Sequence, residues 1–166
     1  MNQQLKFTNK ILYYALMLSR LIFAYILYAI IAPGSQPSED QTLVYVIMGI
    51  AFTIGAISHY LHNKSYNSEF LLSPDSWIMK VIMQNKVSAE VKKGTEEEIK
   101  NSEILNKFTS LSIFSWALSE SIAIFGAISP YLGGTLEIGM CFIAVSIAIG
   151  FQHRPNFERL SYNLII

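Results

Sequence analysis

Four long apolar runs, separated by polar segments, dominate the pattern of this chain. Each run holds almost no charged side chains and is close to the roughly 20 residues that a helix needs to cross about 30 Å of hydrocarbon. The pattern therefore predicts four transmembrane helices, over residues 11–32, 43–61, 107–128 and 135–151. The fourth is the shortest and must either borrow residues 131–135 or cross with little tilt.

Proline residues divide these helices into two hairpins. The first helix must end before Pro33 and the third before Pro130, because proline cannot continue a helix. The predicted fold is an all-α integral membrane bundle of four helices, with one transmembrane hairpin in residues 1–61 and a second in residues 107–166.

The segment between the hairpins, residues 62–106, is too long for a simple turn and is predicted to be helical and cytoplasmic. Within it, Ser73 and Pro74 open a stretch whose apolar residues share one face, which indicates an amphipathic helix. Thr95, followed by three glutamates, is typical of a helix start. Because no proline or glycine follows until Gly126, the third helix is predicted to begin near Glu96 and to be about 50 Å long.

Charge placement adds an orientation to this prediction. Only 14% of the residues are charged, the mean hydropathy is +0.36 and the net charge is zero, so lipid is the expected partner and nucleic acid is not. Of the 12 Lys and Arg residues, all but Arg20 lie before the first helix, between the second and third, or after the fourth. The positive-inside rule then puts both termini in the cytoplasm, with the bacterial inner membrane as the expected location. A cleaved signal peptide is the alternative for the N-terminus, but the apolar stretch is too long and contains Arg20.

Two ionisable residues, Arg20 and Glu120, lie inside predicted transmembrane helices, where a charge is costly. Counting from Lys10 and Lys107 puts them about 15 Å and about 20 Å into the membrane, which allows an Arg20–Glu120 pair. One interpretation is that the pair fixes helix packing. A second is that Glu120 carries a proton or cation. In a third, Arg20 reaches the cytoplasmic surface or a protonated Glu120 bonds to a nearby serine.

Small residues surround Glu120 on the third helix, and small residues allow helices to approach closely. The carboxylate side of this helix is therefore predicted to pack against protein through Ser115, Ala117, Ser119, Ala123 and Gly126.

The stretch ALSESIAIFG, residues 117–126, resembles the carboxylate helix of the rotary ATPase proteolipids, the subunit c family. The resemblance rests on Ala117, Leu118, Glu120, Ile124, Phe125 and Gly126, and it implies that Glu120 binds a proton or sodium ion. The second helix lacks that family's dense glycine run, and the first helix has no counterpart in it. The whole chain also resembles a loose group of uncharacterised small four-helix bacterial membrane proteins, through this helix and the sequence HRPNFER at 153–159.

The remaining chemistry-bearing residues give weaker signals. His59, His62 and His153 could share a metal ion, but no cysteine or carboxylate at ligand spacing completes the set, so no metal or other cofactor is predicted. The single Cys141 forms no disulfide framework. No catalytic motif is present, and the chain is not predicted to be an enzyme. The sequence favours a structural or accessory membrane protein, alone, as a homo-oligomer or in a larger complex, with ion handling at Glu120 as the alternative.

Overall fold

A computed structural model of the chain describes residues 3–34, 38, 40–73 and 96–164, and these residues contain helices and no β-strand. Their α-helices are α1 (Gln3–Ile26), α2 (Thr42–Ser65), α3 (Ser68–Leu72), α4 (Glu96–Ile128), α5 (Leu136–Gln152) and α6 (Phe157–Leu164). The all-helical prediction is confirmed. The predicted amphipathic helix after Ser73 and the helix start at Thr95 lie outside the described residues.

Helix α1 begins earlier than predicted and changes its geometry before its end. It is already helical at Gln3, the first described residue, because the polar residues before Ile11 include no helix breaker. The chain then continues as a π-helical turn over Leu27–Ile31 and a 3-10 turn over Ala32–Gly34. A proline ring clashes with the carbonyl four residues earlier, so the widened turn lies where Pro33 disturbs the helix.

Helix α4 is the central helix, and α1, α2 and α5 pack along it. In the most apolar part of α4, half of the residues are buried. The corresponding share is 11% for α1 and 17% for α2. From Glu96, the first described residue of this part of the chain, its 33 residues form one uninterrupted helix of about 50 Å. The 3-10 turn Ser129–Leu132, which contains Pro130, follows it and ends at Gly133 with a left-handed φ of 89°.

The fourth predicted helix does not borrow residues 131–135. Helix α5 starts at Leu136, where Thr135 caps it by accepting a hydrogen bond from the Ile138 N–H at 3.4 Å. The left-handed backbone conformation of Gly133 ends the preceding 3-10 turn, so that turn does not continue into α5. With 17 residues, α5 spans about 26 Å, slightly less than the hydrocarbon thickness.

In the part of the chain that the structure describes, three helices are long and apolar enough to cross a membrane, over Lys6–Ile31, Thr42–Ser65 and Lys100–Leu132, and α5 is shorter. Many large apolar side chains on α1 and α2 point away from the other helices. On α2, Phe52 is 82% exposed. Soluble proteins rarely leave such continuous apolar faces uncovered, so these faces require lipid or another protein.

Two glycines bring α4 and α5 into direct backbone contact. A Cβ at Gly126 would lie 2.6 Å from the Gly139 carbonyl oxygen, and a Cβ at Gly139 would lie 2.7 Å from the Gly126 carbonyl oxygen. Any larger residue would push the helices apart. The packing role predicted for Gly126 therefore has a partner, Gly139, that the sequence did not single out.

Candidate functional site

The side chain of Arg20 is buried where α1, α4 and α5 meet and is only 1% exposed. Its Nη2 donates to the Ser119 Oγ of α4 at 2.6 Å and lies 3.5 Å from the Trp116 carbonyl oxygen. Its Nη1 donates to the Ser146 carbonyl oxygen of α5 at 3.0 Å. One guanidinium group thus connects three helices.

A glycine makes room for this guanidinium. A Cβ at Gly150 of α5 would overlap Arg20 Nη1 and would lie 2.6 Å from Met17 Sδ. Met17 also contacts the guanidinium directly, with its sulfur 3.1 Å from Nη1. The sulfur and the bare backbone of Gly150 therefore form one wall of the arginine site, and only glycine fits there.

Arg20 and Glu120 do not form the predicted ion pair. The one ion pair within 4.0 Å among the described residues joins Lys107 to Glu103, one turn apart on α4. Arg20 is held instead by a hydroxyl and by carbonyl oxygens, because Ser119 lies nearer to the guanidinium than Glu120, the next residue of α4, does. The predicted proximity of the two residues is partly retained, since Arg20 contacts Ser119, the neighbour of Glu120 on α4.

The carboxylate of Glu120 is half-buried and has a different partner. Ser19, the neighbour of Arg20 on α1, donates a hydrogen bond to Glu120 Oε1, and its Oγ also lies 2.8 Å from the Leu16 carbonyl oxygen. Adjacent residues of α1 thus contact adjacent residues of α4: Ser19 contacts Glu120, and Arg20 contacts Ser119.

The five small residues predicted around the carboxylate have different environments. Ser119, Ala123 and Gly126 are buried in helix contacts. Ser115 is also buried, but its hydroxyl faces α2 and α5 and has no hydrogen bond with Glu120. Ala117 is exposed, so its predicted packing role is wrong. Helical geometry explains both differences, because each residue turns the side-chain direction by about 100°.

A second buried polar group lies near the end of α5, around His153, which is 0% exposed. Its Nδ1 lies 3.1 Å from the Ser115 Oγ of α4 and 3.4 Å from the Ser58 Oγ of α2. The indole Nε1–H of Trp116 donates to the His153 carbonyl oxygen at 2.9 Å. His153 therefore connects α2, α4 and α5, in the way that Arg20 connects α1, α4 and α5.

Serine pairs join the helices between these two groups. Ser115 Oγ donates to the Ser58 carbonyl oxygen at 2.9 Å, and Ser58 Oγ donates to the Ser115 carbonyl oxygen at 2.8 Å. Nearer Arg20, Ser146 Oγ donates to the Ser119 carbonyl oxygen at 2.6 Å. All four serines are fully buried. Hydrogen bonds of this kind stabilise contacts between helices in an apolar environment.

The three histidines singled out in the sequence come together, but their rings stack. The His62 and His153 ring centroids are 4.3 Å apart with an angle of 19° between the planes, and the His59 ring lies 6.1 Å from that of His153. Lone pairs of stacked imidazoles point in parallel and do not converge on one ion. In the described part of the chain, no three histidine, cysteine or carboxylate side chains are arranged to hold a metal ion.

Burial controls the charge state of His153. Removal from water, together with the nearby His62, His59 and Arg20, lowers the pKa of His153 to about 3. The imidazole is therefore neutral at ordinary pH. Its Nε2 is buried without a hydrogen-bond partner, so a proton placed there would be poorly solvated.

Sequence reasoning missed three residues that shape the arginine site: Ser19, Ser146 and Gly150. Each is a small residue within an apolar helix. A sequence does not distinguish small residues that shape a polar site from those that only allow helices to pack. The one available signal was the regular placement of small residues along α5, with Gly139, Ser146 and Gly150 at intervals of seven and four. This spacing puts them on one face of a helix.

No model of a known protein family matches this chain, and no curated protein or solved structure matches it either.

Proposed function

We propose that this chain is a small integral membrane protein with a structural or accessory role, in which Arg20 fastens the first helix to the rest of a four-helix bundle. The observation that carries the proposal is the burial of its guanidinium with hydrogen bonds to α4 and α5. Ionisable residues inside membrane helices normally face protein, and an arginine held in this way fixes both the depth and the rotation of its helix.

The bilayer is the proposed partner of the outer faces of α1 and α2. Three helices have the length and apolarity of membrane spans, and α5 would complete the bundle with little tilt. Lys6, Lys10 and Arg154 line one cavity at one end of the bundle, between the start of α1 and the residues that follow α5. By the positive-inside rule this end is cytoplasmic, in an inner membrane of bacterial type. A homo-oligomer or a larger membrane complex would cover the same apolar faces.

The structural role is tested by substitutions at Arg20, with unfolding followed in mixed detergent micelles. Arg20→Ala removes the hydrogen bonds and leaves a buried cavity, so we expect a loss of about 2–4 kcal/mol. Arg20→Lys keeps the charge but loses the planar fork that reaches two helices, and it should also be destabilising. Lys100→Ala, at an exposed position of α4, is the control and should change stability by less than about 0.5 kcal/mol. Equal stability of Arg20→Ala and the control would overturn the proposal.

Ion handling at Glu120 is the second candidate function. It is favoured by a half-buried carboxylate within a candidate membrane span, whose hydrogen-bond partner is a serine of another helix. The resemblance of residues 117–126 to the subunit c family supports the same candidate. In this case Glu120 would bind a proton or sodium ion, and Ser19 would orient its carboxylate.

Flux measurements in liposomes separate the two candidates. If Glu120 carries ions, Glu120→Gln should fold normally and abolish proton or sodium flux. If the role is structural, wild type should show no flux above that of empty liposomes, and Glu120→Gln should cost less stability than Arg20→Ala. Reaction with a carboxyl-modifying carbodiimide adds a direct test, because selective labelling of Glu120 would favour the ion-handling candidate.

A further inference from the structure

The end of the bundle that carries the chain's N-terminal lysines contains a polar cavity of about 500 Å³. It lies between the start of α1 and the residues that follow α5. Its lining includes three cations, Lys6, Lys10 and Arg154, and one carboxylate, Glu158. None of these cations has a carboxylate within 4.0 Å in the described part of the chain, where the only such pair is Lys107–Glu103. Among the residues that the structure describes, the cavity therefore has an excess of positive charge.

An apolar groove of about 380 Å³ continues from this cavity along the outside of the bundle. Tyr13, Tyr14 and Arg154 line both spaces, so the two are adjacent. Beyond the tyrosines, the groove runs between α1 and α5, with Leu18 and Leu21 on one side and Ile147 and Phe151 on the other. From Tyr14 to Leu21 it extends about 10 Å towards the centre of the apolar region.

We infer that this cavity and groove form a binding site for one anionic phospholipid, with the phosphate head group among Lys6, Lys10 and Arg154 and an acyl chain in the groove between α1 and α5. The inference rests on the proposed membrane location. Charge complementarity favours an anionic head group, and the apolar continuation favours a lipid over a free anion. The exposed Tyr14 at the junction suits the interfacial depth, where a tyrosine ring contacts acyl chains and its hydroxyl contacts water.

The protein fixes the shape of this site from both sides. The Tyr13 hydroxyl donates to the Gly150 carbonyl oxygen at 3.2 Å, which holds α1 against α5 where the groove begins. On the other side, Asn156 donates its backbone N–H to the Tyr66 hydroxyl at 2.9 Å, which anchors the segment after Arg154 to the end of α2. A lipid in this site would therefore bind between two elements that are already held in place.

Thermal unfolding in an uncharged detergent tests the site, with phosphatidylglycerol, phosphatidylcholine and inorganic phosphate as separate additions. Phosphatidylglycerol should raise the unfolding temperature, and the other two should not. The double variant Lys10→Gln/Arg154→Gln should bind phosphatidylglycerol about thirtyfold more weakly, at about a factor of five for each cation. Lys64→Gln/Lys100→Gln, with the same charge change elsewhere, is the matched control and should bind as wild type does.

Two further measurements cover the other outcomes. Leu18→Trp, at an exposed position, fills the groove and leaves the cations in place, so it should weaken phosphatidylglycerol binding without changing the fold. Native mass spectrometry of the wild-type protein should show one anionic lipid retained after purification, whether or not the double variant folds. Equal stabilisation by inorganic phosphate would assign the cavity to a free anion and overturn the inference, as would equal lipid binding by the double variant and its control. Release of the protein from membranes by alkaline carbonate would instead overturn the proposed membrane location.

Discussion

Replacing Gly150 by alanine should disrupt the arginine site although it adds only one methyl group. The new Cβ would overlap Arg20 Nη1 and would come within 2.8 Å of Arg20 Cζ. The Ser119 hydroxyl and the Ser146 carbonyl oxygen accept hydrogen bonds from its two terminal nitrogens at 2.6 Å and 3.0 Å, so a shift away from Gly150 would break these hydrogen bonds. Arg20 must therefore leave these partners, or α1 must separate from α5.

The expected size of this effect follows from the hydrogen bonds that are lost. A hydrogen bond to a charged group is worth about 1.5–3 kcal/mol, so losing two costs about 3–6 kcal/mol. Alanine is about 1 kcal/mol better than glycine inside a helix, which offsets part of the loss. The net destabilisation should be about 2–5 kcal/mol.

The chain contains a matched control for this substitution. Gly49 lies within α2, and a Cβ there would meet no atom within 4 Å. Gly49→Ala should therefore show the helix-propensity gain alone and stabilise the protein by up to about 1 kcal/mol. Both variants can be unfolded in mixed micelles with increasing dodecyl sulfate, with the fluorescence of the buried Trp116 as the signal.

A double substitution identifies the cause. Adding Arg20→Ala to Gly150→Ala removes the group that the new methyl overlaps, so the combined loss should be clearly smaller than the sum of the single losses. If Gly150→Ala is as stable as Gly49→Ala, or if the two losses simply add, the guanidinium is not held against Gly150 and the reasoning is refuted.

Three other predictions follow from the same contacts. Gly126→Ala should destabilise the protein by about 1–3 kcal/mol in the same unfolding assay, since its Cβ would meet the Gly139 backbone, and a stabilised variant would contradict the contact. Stability should fall as the pH is lowered from about 6.5 towards 4, because the pKa of His153 is about 3 in the folded protein and near 6.5 in the unfolded chain. His153→Gln should reduce this pH dependence more than His59→Gln does. An equal effect of the two substitutions would argue against His153 as the cause. Trp116→Phe, with unfolding followed by circular dichroism because this variant lacks the Trp116 fluorescence, should cost about 1–2 kcal/mol by leaving the His153 carbonyl oxygen without its indole donor; an unchanged midpoint would show that this bond contributes nothing.

The sequence was sufficient for the helical framework because helix formation depends on neighbouring residues. Uninterrupted apolar runs gave the main helices, Pro33 and Pro130 marked where two of them change geometry, and the absence of breakers before Gly126 predicted that α4 runs without interruption from Glu96. The choice between the two alternatives left open for the start of α5 has a local cause as well. The left-handed conformation of Gly133 separates the turn from the helix, and a pair of glycines in a sequence does not reveal which one adopts it.

The arrangement around the buried charges depends on contacts between distant parts of the chain. Arg20 meets Ser119 and Ser146, 99 and 126 residues away, so its partners depend on how three helices are rotated and how far each is shifted along its axis. Depth alone suggested Glu120, but one step along α4 turns the side-chain direction by about 100° and gives the arginine a serine instead.

By itself, the sequence determined that this is an all-helical chain with membrane-length apolar helices, a long α4 and one arginine too costly to leave in lipid. Only the tertiary structure decided that serines and backbone carbonyls solvate this arginine, that Gly150 leaves space for it and that Ala117 faces outward. The physical reason is that apolarity and helix propensity are summed over residues close in sequence. The solvation of a buried charge depends instead on atoms a few ångströms away, which here belong to three helices.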